Sequence, residues 1–446
     1  MKKKILFLVL TLTALLLTGC AMQTVEEMYA VPKRSAEYSS LQFAIDAAMV
    51  GRTYAAPVSG DNQQSVQMAD LDGDGVEEYL VFAMANSDKR LQVLIFRQEE
   101  DGACSLWEVI ESSGAAFEQV EYIHFDQVPG CELVIGSQVS DQVLRSVSVY
   151  SFSKGTAEQL LMVGYSKFLT CDLDGNDRKE LLVLRPGEAE ATRGMAVLYS
   201  SRGGQIERSV ETELSVDPSQ IRRIVPGRLE DGAPAVYVSS SGSDNRILTD
   251  IFAFKDGHFT NISTLNPDIT GIKTLKNYYV YAEDMDADGV MELPSLVNMK
   301  PVSGGTDTEQ NFLLRWSSLD TNLWPTDKLF TFHNYVGGWY MQLDSSWAGR
   351  VSVEEDLDQY RFYMWDEAYR AATPLFTVYV LTGPTRDEDA DKDGRFPLYR
   401  AEGVAYAARL EDGAVQLGLT QKGLIENFHL IRHDWKAGEA WQADQG

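Results

Sequence analysis

The sequence predicts a mainly β fold, a β-propeller of about five to seven blades followed by a small α+β C-terminal domain. Three observations predict it. Residues 70–78 (DLDGDGVEE), 172–180 (DLDGNDRKE) and 284–292 (DMDADGVME) repeat one acidic pattern. The first two are followed directly by short runs rich in branched and aromatic residues, Tyr79 to Phe82 and Leu181 to Leu184, which read as buried strands. The starting positions lie 102 and 112 residues apart, each about twice a unit near fifty, and that period marks an array or a propeller.

The missing copies fall in the gaps. Residues 124–132 (HFDQVPGCE) and 227–235 (GRLEDGAPA) occupy the expected places, each followed by an apolar run, so five units start at 70, 124, 172, 227 and 284. Further strand candidates at 91–97, 105–110 and 196–200 bring each unit toward the four strands of a propeller blade. A sixth blade is expected either before residue 67 or after residue 316, where no acidic loop stands.

The loops carry the chemistry. Positions 1, 3, 5 and 9 are Asp70, Asp72, Asp74 and Glu78, then Asp172, Asp174, Asn176 and Glu180, then Asp284, Asp286, Asp288 and Glu292. Hard oxygen ligands at that spacing suit Ca²⁺. Three or four carboxylates within a few ångströms repel by several kcal/mol, and a divalent cation turns that repulsion into a clamp. A strand, not a helix, follows each loop, and position 12 of the first is Val81, which excludes the helix–loop–helix calcium hand.

Over roughly residues 66–332 the loops and their flanking strands resemble the FG-GAP or VCBS type of repeat of integrin-like propellers. The resemblance implies a structural Ca²⁺ in each intact loop, held by the side chains above and by the backbone carbonyls of Val76, Arg178 and Val290. The copies at 124 and 227 offer His124, Asp126, Val128 and Gly227, Leu229, Asp231 at positions 1, 3 and 5, and are expected to be metal-free turns. A further acidic stretch, 387–394, has Pro397 where a ninth-position oxygen would stand and reads as a solvated loop or helix end.

Lys2, Lys3 and Lys4 precede an apolar run over 5–17, the layout of a secretory signal peptide. Leu17-Thr18-Gly19-Cys20 resembles the lipobox of bacterial lipoproteins, which implies cleavage before Cys20 and its acylation. The expected organisation is a signal peptide over 1–19, a tether over 20–40, a propeller over 41–330 and an α+β domain over 331–446. The chain would then be lipid-anchored on the extracytoplasmic face of the cell membrane. A net charge of −27 argues against nucleic acid as a partner. Cys104, Cys131 and Cys171 form no framework; one disulfide or three buried thiols fit equally.

Beyond residue 331 aromatics gather at Trp339, Tyr340, Trp347, Phe362, Tyr363 and Trp365, either core or a sugar-stacking platform. Residues 420–432 have helical spacing behind a capping Thr420. The sequence holds no His-Glu-x-x-His, G-x-S-x-G or phosphate-loop motif, and His429 and His433 are the one pair at metal spacing. The expected function is non-catalytic binding or scaffolding of a protein or glycan. The alternatives are a surface lectin and an envelope hydrolase with its site on the propeller face.

Overall fold

The computed structural model describes residues 36–431, apart from 113, 139–144, 188–192, 203–204, 243–245, 274–278, 300–301, 303–311 and 348, together with Trp435. The expected signal peptide, Cys20 and most of the tether lie outside the described residues. Among the described residues no helix is long and apolar enough to cross a membrane.

The protein is mainly β, a propeller of six antiparallel sheets among the described residues. The second, third and fourth sheets are meanders of consecutive strands: Ala116–Ile123 through Glu158–Tyr165, Lys167–Cys171 through Gln205–Glu213, and Ile221–Arg228 through His258–Asn261. The first spans Arg52–Tyr54 to Cys104–Ser112, and the fifth runs from Glu292–Asn298 to Trp339–Leu343. Glu292–Asn298 is covered over its first three residues, and the strands after the first two acidic loops are buried on both faces over most of their length; in Glu180–Pro186 the first five residues are covered. That is why these strands read as continuous apolar runs rather than alternating ones.

Successive sheets share cores. Phe82 and Phe117 meet edge to face at 5.1 Å between the first and second sheets. Val134 and Val183 share a core between the second and third, Leu198 and Val238 between the third and fourth, and Ile251 and Leu319 between the fourth and fifth. The outer face of the first sheet is covered by helix Ala36–Ala48, whose Leu41 and Ile45 pack on Val81 and Phe96. The helix occupies part of the stretch expected as tether, because those two side chains have a sheet to cover.

The sixth sheet comes from the region after residue 316, one of the two places expected. Strands Val351–Asp356, Gln359–Trp365, Ala372–Thr382, Phe396–Ala401 and Val404–Leu410 form it, with short helices Arg386–Asp389 and Gln421–Glu426 alongside. It packs on the fifth sheet through Phe332 against Phe362 at 5.3 Å. Strand Pro325–Asn334 of the fifth sheet runs across residue 330, so no break in the sheets coincides with that expected boundary.

The helix expected over 420–432 is shorter. Thr420 caps Gln421–Glu426 by accepting from Gly423 N–H, but the chain then turns into strand Phe428–Leu430, paired with Trp339–Leu343. An open sheet edge offering backbone partners outweighs the helical spacing of four apolar side chains. Trp435 sits fully buried against Trp316, 5.9 Å between ring centroids.

Candidate metal-binding loops

Each acidic loop closes a hairpin that leads into a central strand of its sheet or, in the fifth sheet, into its first strand. Ala69 pairs with Glu78 and Cys171 with Glu180 across the hairpin base, and Glu283 bridges Glu292 at the same point in the fifth sheet. Wrapping eight residues into so tight a turn requires left-handed backbone at positions 4 and 6. Gly73 and Gly75, Gly175 and Asp177, and Ala287 and Gly289 all take positive φ.

Side chains at alternate positions then brace the turn. The position-1 carboxylates accept loop amides: Asp70 from Gly73 N–H at 2.7 Å, Asp172 from Asp177 N–H at 2.8 Å, Asp284 from Gly289 N–H at 2.9 Å. Position 9 reaches back across the hairpin base. Glu78, Glu180 and Glu292 accept from Leu71, Leu173 and Met285 N–H at 2.8, 2.8 and 2.7 Å.

The same carboxylates converge. One carboxylate oxygen each from Asp70, Asp72 and Glu78 lie within 4.8 Å of one another, and the same holds for Asp172, Asp174 and Glu180 and for Asp284, Asp286 and Glu292. The three groups can hold a metal ion. Glu292 Oε1 is buried without a hydrogen-bond partner among the described protein groups. Burial, reinforced by the neighbouring aspartates, pushes Glu78, Glu180 and Glu292 up to about 7.

Position 5 stands apart from these triads. Asp74, Asn176 and Asp288 accept the N–H of Val76, Arg178 and Val290 at 2.7, 2.9 and 2.8 Å. The backbone hydrogen bond and Lys328 hold Asp288 below the usual carboxylate range. Lys328 Nζ sits 3.0 Å from both Asp288 and Glu230, tying the fifth-sheet loop to the fourth hairpin. The carbonyl-bearing residues Val76, Arg178 and Val290 each follow a positive-φ residue at position 6.

The altered copies differ for physical reasons. In the second, Pro129 fills position 6, where a ring-locked φ near −65° forbids the left-handed turn. Even so, Glu132 accepts from Phe125 N–H at 2.9 Å, just as the other ninth-position glutamates do. The fourth copy is a shorter hairpin. Arg228 pairs with Pro234, leaving five residues between paired ends where the first loop has eight between Ala69 and Glu78. Alignment by acids puts Gly227 at position 1; the structure puts Arg228 there. The apolar residue at position 2 gives the correct register: Leu71, Phe125, Leu173, Leu229 and Met285, the first four buried below 4% exposure.

Adjacent loops are stapled. The position-8 N–H donates to the position-1 carbonyl of the preceding loop, Cys131 to Asp70 and Lys179 to His124 at 3.1 Å, and Met291 to Arg228 at 3.0 Å. Gly130 shows how close this contact is: a Cβ there would fall 2.4 Å from Leu71 O.

Other sequence candidates resolve differently. The 387–394 stretch is a short helix and solvated loop whose acids pair with Lys392 and Arg400, as expected. Trp339, Trp347 and Phe362 are buried core, not a platform. His429 stacks on Tyr340 at 4.9 Å, and His433 lies outside the described residues. Cys104, Cys131 and Cys171 are buried thiols. Burial pushes Cys131 and Cys171 up to about 12, so they are inert thiols.

No family model matches the chain and no curated protein matches it. Among solved structures, a rhamnogalacturonan lyase, YesW, aligns with TM-score 0.31 and 14% identity over 73% of this chain and 64% of its own. The chain thus spans less than two thirds of that lyase. A protein from Lactobacillus plantarum aligns with TM-score 0.31 and 11% identity over 72% of this chain and 85% of its own. The Dos1 propeller aligns with TM-score 0.27 and 9% identity over 76% and 80%.

Proposed function

We propose that the protein is a lipid-anchored, extracytoplasmic binding or scaffolding module, non-catalytic, whose FG-GAP/VCBS-type propeller is braced by Ca²⁺ in three loops. One observation carries the calcium reading: three oxygen triads in register, each containing a buried glutamate whose ionisation needs a counter-charge. The ligands are Asp70, Asp72 and Glu78, Asp172, Asp174 and Glu180, and Asp284, Asp286 and Glu292, with Asp74, Asn176, Asp288 and the position-7 carbonyls completing the sets. Hard oxygens alone, with no sulfur or imidazole, favour Ca²⁺ over softer metals.

The cation's role is structural, because the loop oxygens are spent on backbone amides and on the ion. The anchor rests on the sequence at Cys20 and the partner on the propeller's broad loop face, a fold-level analogy. Adding millimolar Ca²⁺ to chelated protein is expected to raise the melting temperature. Asp72→Ala and Asp286→Ala should remove most of the rise and Asp126→Ala none of it; an unchanged melt ends the calcium reading. Cys20→Ser should move the protein from the membrane fraction to the soluble one, and its retention there would refute the anchor.

A further inference from the structure

We infer that the three loops are graded: the 70–78 loop takes Ca²⁺ first, and Lys328 holds back the 284–292 loop as a resident cation that must leave Asp288 before the ion can use it. The inference deepens the reading above and rests on its calcium claim.

Position 5 decides the order. In the first loop Asp74 spends Oδ1 on Val76 N–H at 2.7 Å, and among the described residues no side chain pairs with its Oδ2, which is left for the ion. In the third loop Asn176 brings a single oxygen, and that Oδ1 accepts both the backbone N–H of Arg178 at 2.9 Å and its Nε–H at 3.1 Å. In the fifth-sheet loop Asp288 Oδ1 accepts from Val290 N–H at 2.8 Å, while Oδ2 lies 3.0 Å from Lys328 Nζ. The same backbone bond is made three times, and the first loop alone keeps an uncommitted position-5 oxygen.

Charge points the same way. Residues 70–78 hold five acids and no base, whereas Arg178 and Lys179 sit inside the third loop and Lys328 is tied to the last. A positive group beside a site opposes the entry of a divalent ion. The Lys328 side chain is 18% exposed, so salt screens its charge less than that of a surface lysine. Lys328 also has a second place to rest. Its Nζ is 3.0 Å from Glu230 Oε2, an oxygen fixed by the Ser318 hydroxyl, which donates to it at 2.5 Å. Released from Asp288, the ammonium keeps Glu230 as its partner, and the tie between the fourth and fifth sheets outlasts the exchange.

The test is flow dialysis of radiolabelled Ca²⁺ against the intact, chelator-stripped protein at about pH 8, with Asp72→Ala, Asp174→Ala and Asp286→Ala assigning each binding step to its loop. One step should be about tenfold tighter than the other two and vanish in Asp72→Ala. Asp74→Asn should bring that step down to the level of the others. Lys328→Met should tighten the step that Asp286→Ala removes by about tenfold and leave the first unmoved. Lys328→Gln, which keeps a hydrogen-bond donor in the same gap, should do the same, so a Met variant that fails to fold does not end the test. Three steps of equal affinity, or a tightest step that survives Asp72→Ala, overturn the grading. Unchanged binding in the folded Lys328 variants overturns the displacement. A parent protein that takes up no Ca²⁺ overturns the reading beneath them both.

Discussion

Removing calcium should make stability fall as pH rises, and the triads set the size of the effect. Glu78, Glu180 and Glu292 are 3%, 3% and 0% exposed, and each is pushed from an ordinary 4.5 up to about 7. Between those values the folded state keeps protons that the unfolded chain has released, so the three glutamates' contribution to metal-free stability is fully present below about pH 4.5 and is lost as pH rises through 7. Each carboxyl accounts for about 3 kcal/mol, and the three together for about 10 kcal/mol. With an unfolding entropy of about 2 cal/mol/K per residue, a chain of this length loses roughly 1 °C per kcal/mol; about 7 to 8 kcal/mol of the total is lost between pH 5 and 8, so the melting temperature in chelator should drop about 8 °C over that range. Calcium reverses the trend, because it binds the ionised form: its apparent affinity per loop should weaken about tenfold per pH unit below 7. Differential scanning fluorimetry across pH, with and without Ca²⁺, reads both slopes. The control is a Glu78→Gln, Glu180→Gln, Glu292→Gln variant, which keeps an acceptor for the position-2 amide and loses the titration. If that variant and its parent show the same slope in chelator, the buried glutamates are not its source.

Backbone strain gives a matched pair. Gly73→Ala places a Cβ 2.3 Å from the Pro129 carbonyl carbon at φ +78°, and should cost about 2 kcal/mol or more in chemical denaturation. Ala287→Gly, at the equivalent position of the last loop with φ +60°, should instead stabilise by about 1 kcal/mol. Lys328→Met removes the ammonium between Glu230 and Asp288; metal-free stability should fall by about 1 kcal/mol. Calorimetry should then show tighter Ca²⁺ binding at the 284–292 loop, whose Asp288 is released.

The repeat was legible because it is written in local chemistry. Alternating oxygens followed by a buried apolar strand need no tertiary knowledge, and the strands expected at 91–97 and 105–110 appear as Leu91–Gln98 and Cys104–Ser112. The sixth sheet was less legible: its tight hairpin between Asp356 and Gln359 has no room for the eight-residue loop of alternating oxygens, and its aromatic content belongs equally to a core or a platform. Lys328 was invisible, since a single lysine far along the chain meets the fourth and fifth loops only after folding. The fourth loop misled for the opposite reason: aligning Asp and Glu rather than the buried Leu229 slid the register by one. The end of the chain shows the same limit, because helical spacing at Leu424 and Phe428 cannot reveal that a sheet edge awaits Phe428.

The second loop separates two jobs that the acidic pattern merges. Glu132 makes the same bond to a position-2 amide as Glu78, Glu180 and Glu292, yet its loop has no triad. The ninth-position carboxylate therefore shapes the hairpin base without any ion, and the ion's task is to discharge the loop tip. Chelation should then act unevenly along each loop. In hydrogen exchange, the amides of Leu71, Leu173 and Met285, held by buried glutamates, should stay protected. Those of Val76, Arg178 and Val290, held only by exposed position-5 side chains, should exchange about tenfold faster or more once calcium is removed. Phe125, at the base of the loop without a triad, is the internal reference and should be indifferent. If chelation instead exposed Leu71 and Val76 together while leaving Phe125 protected, the ion would be holding the hairpin base itself, and the carboxylate bond would be its consequence rather than an independent pin.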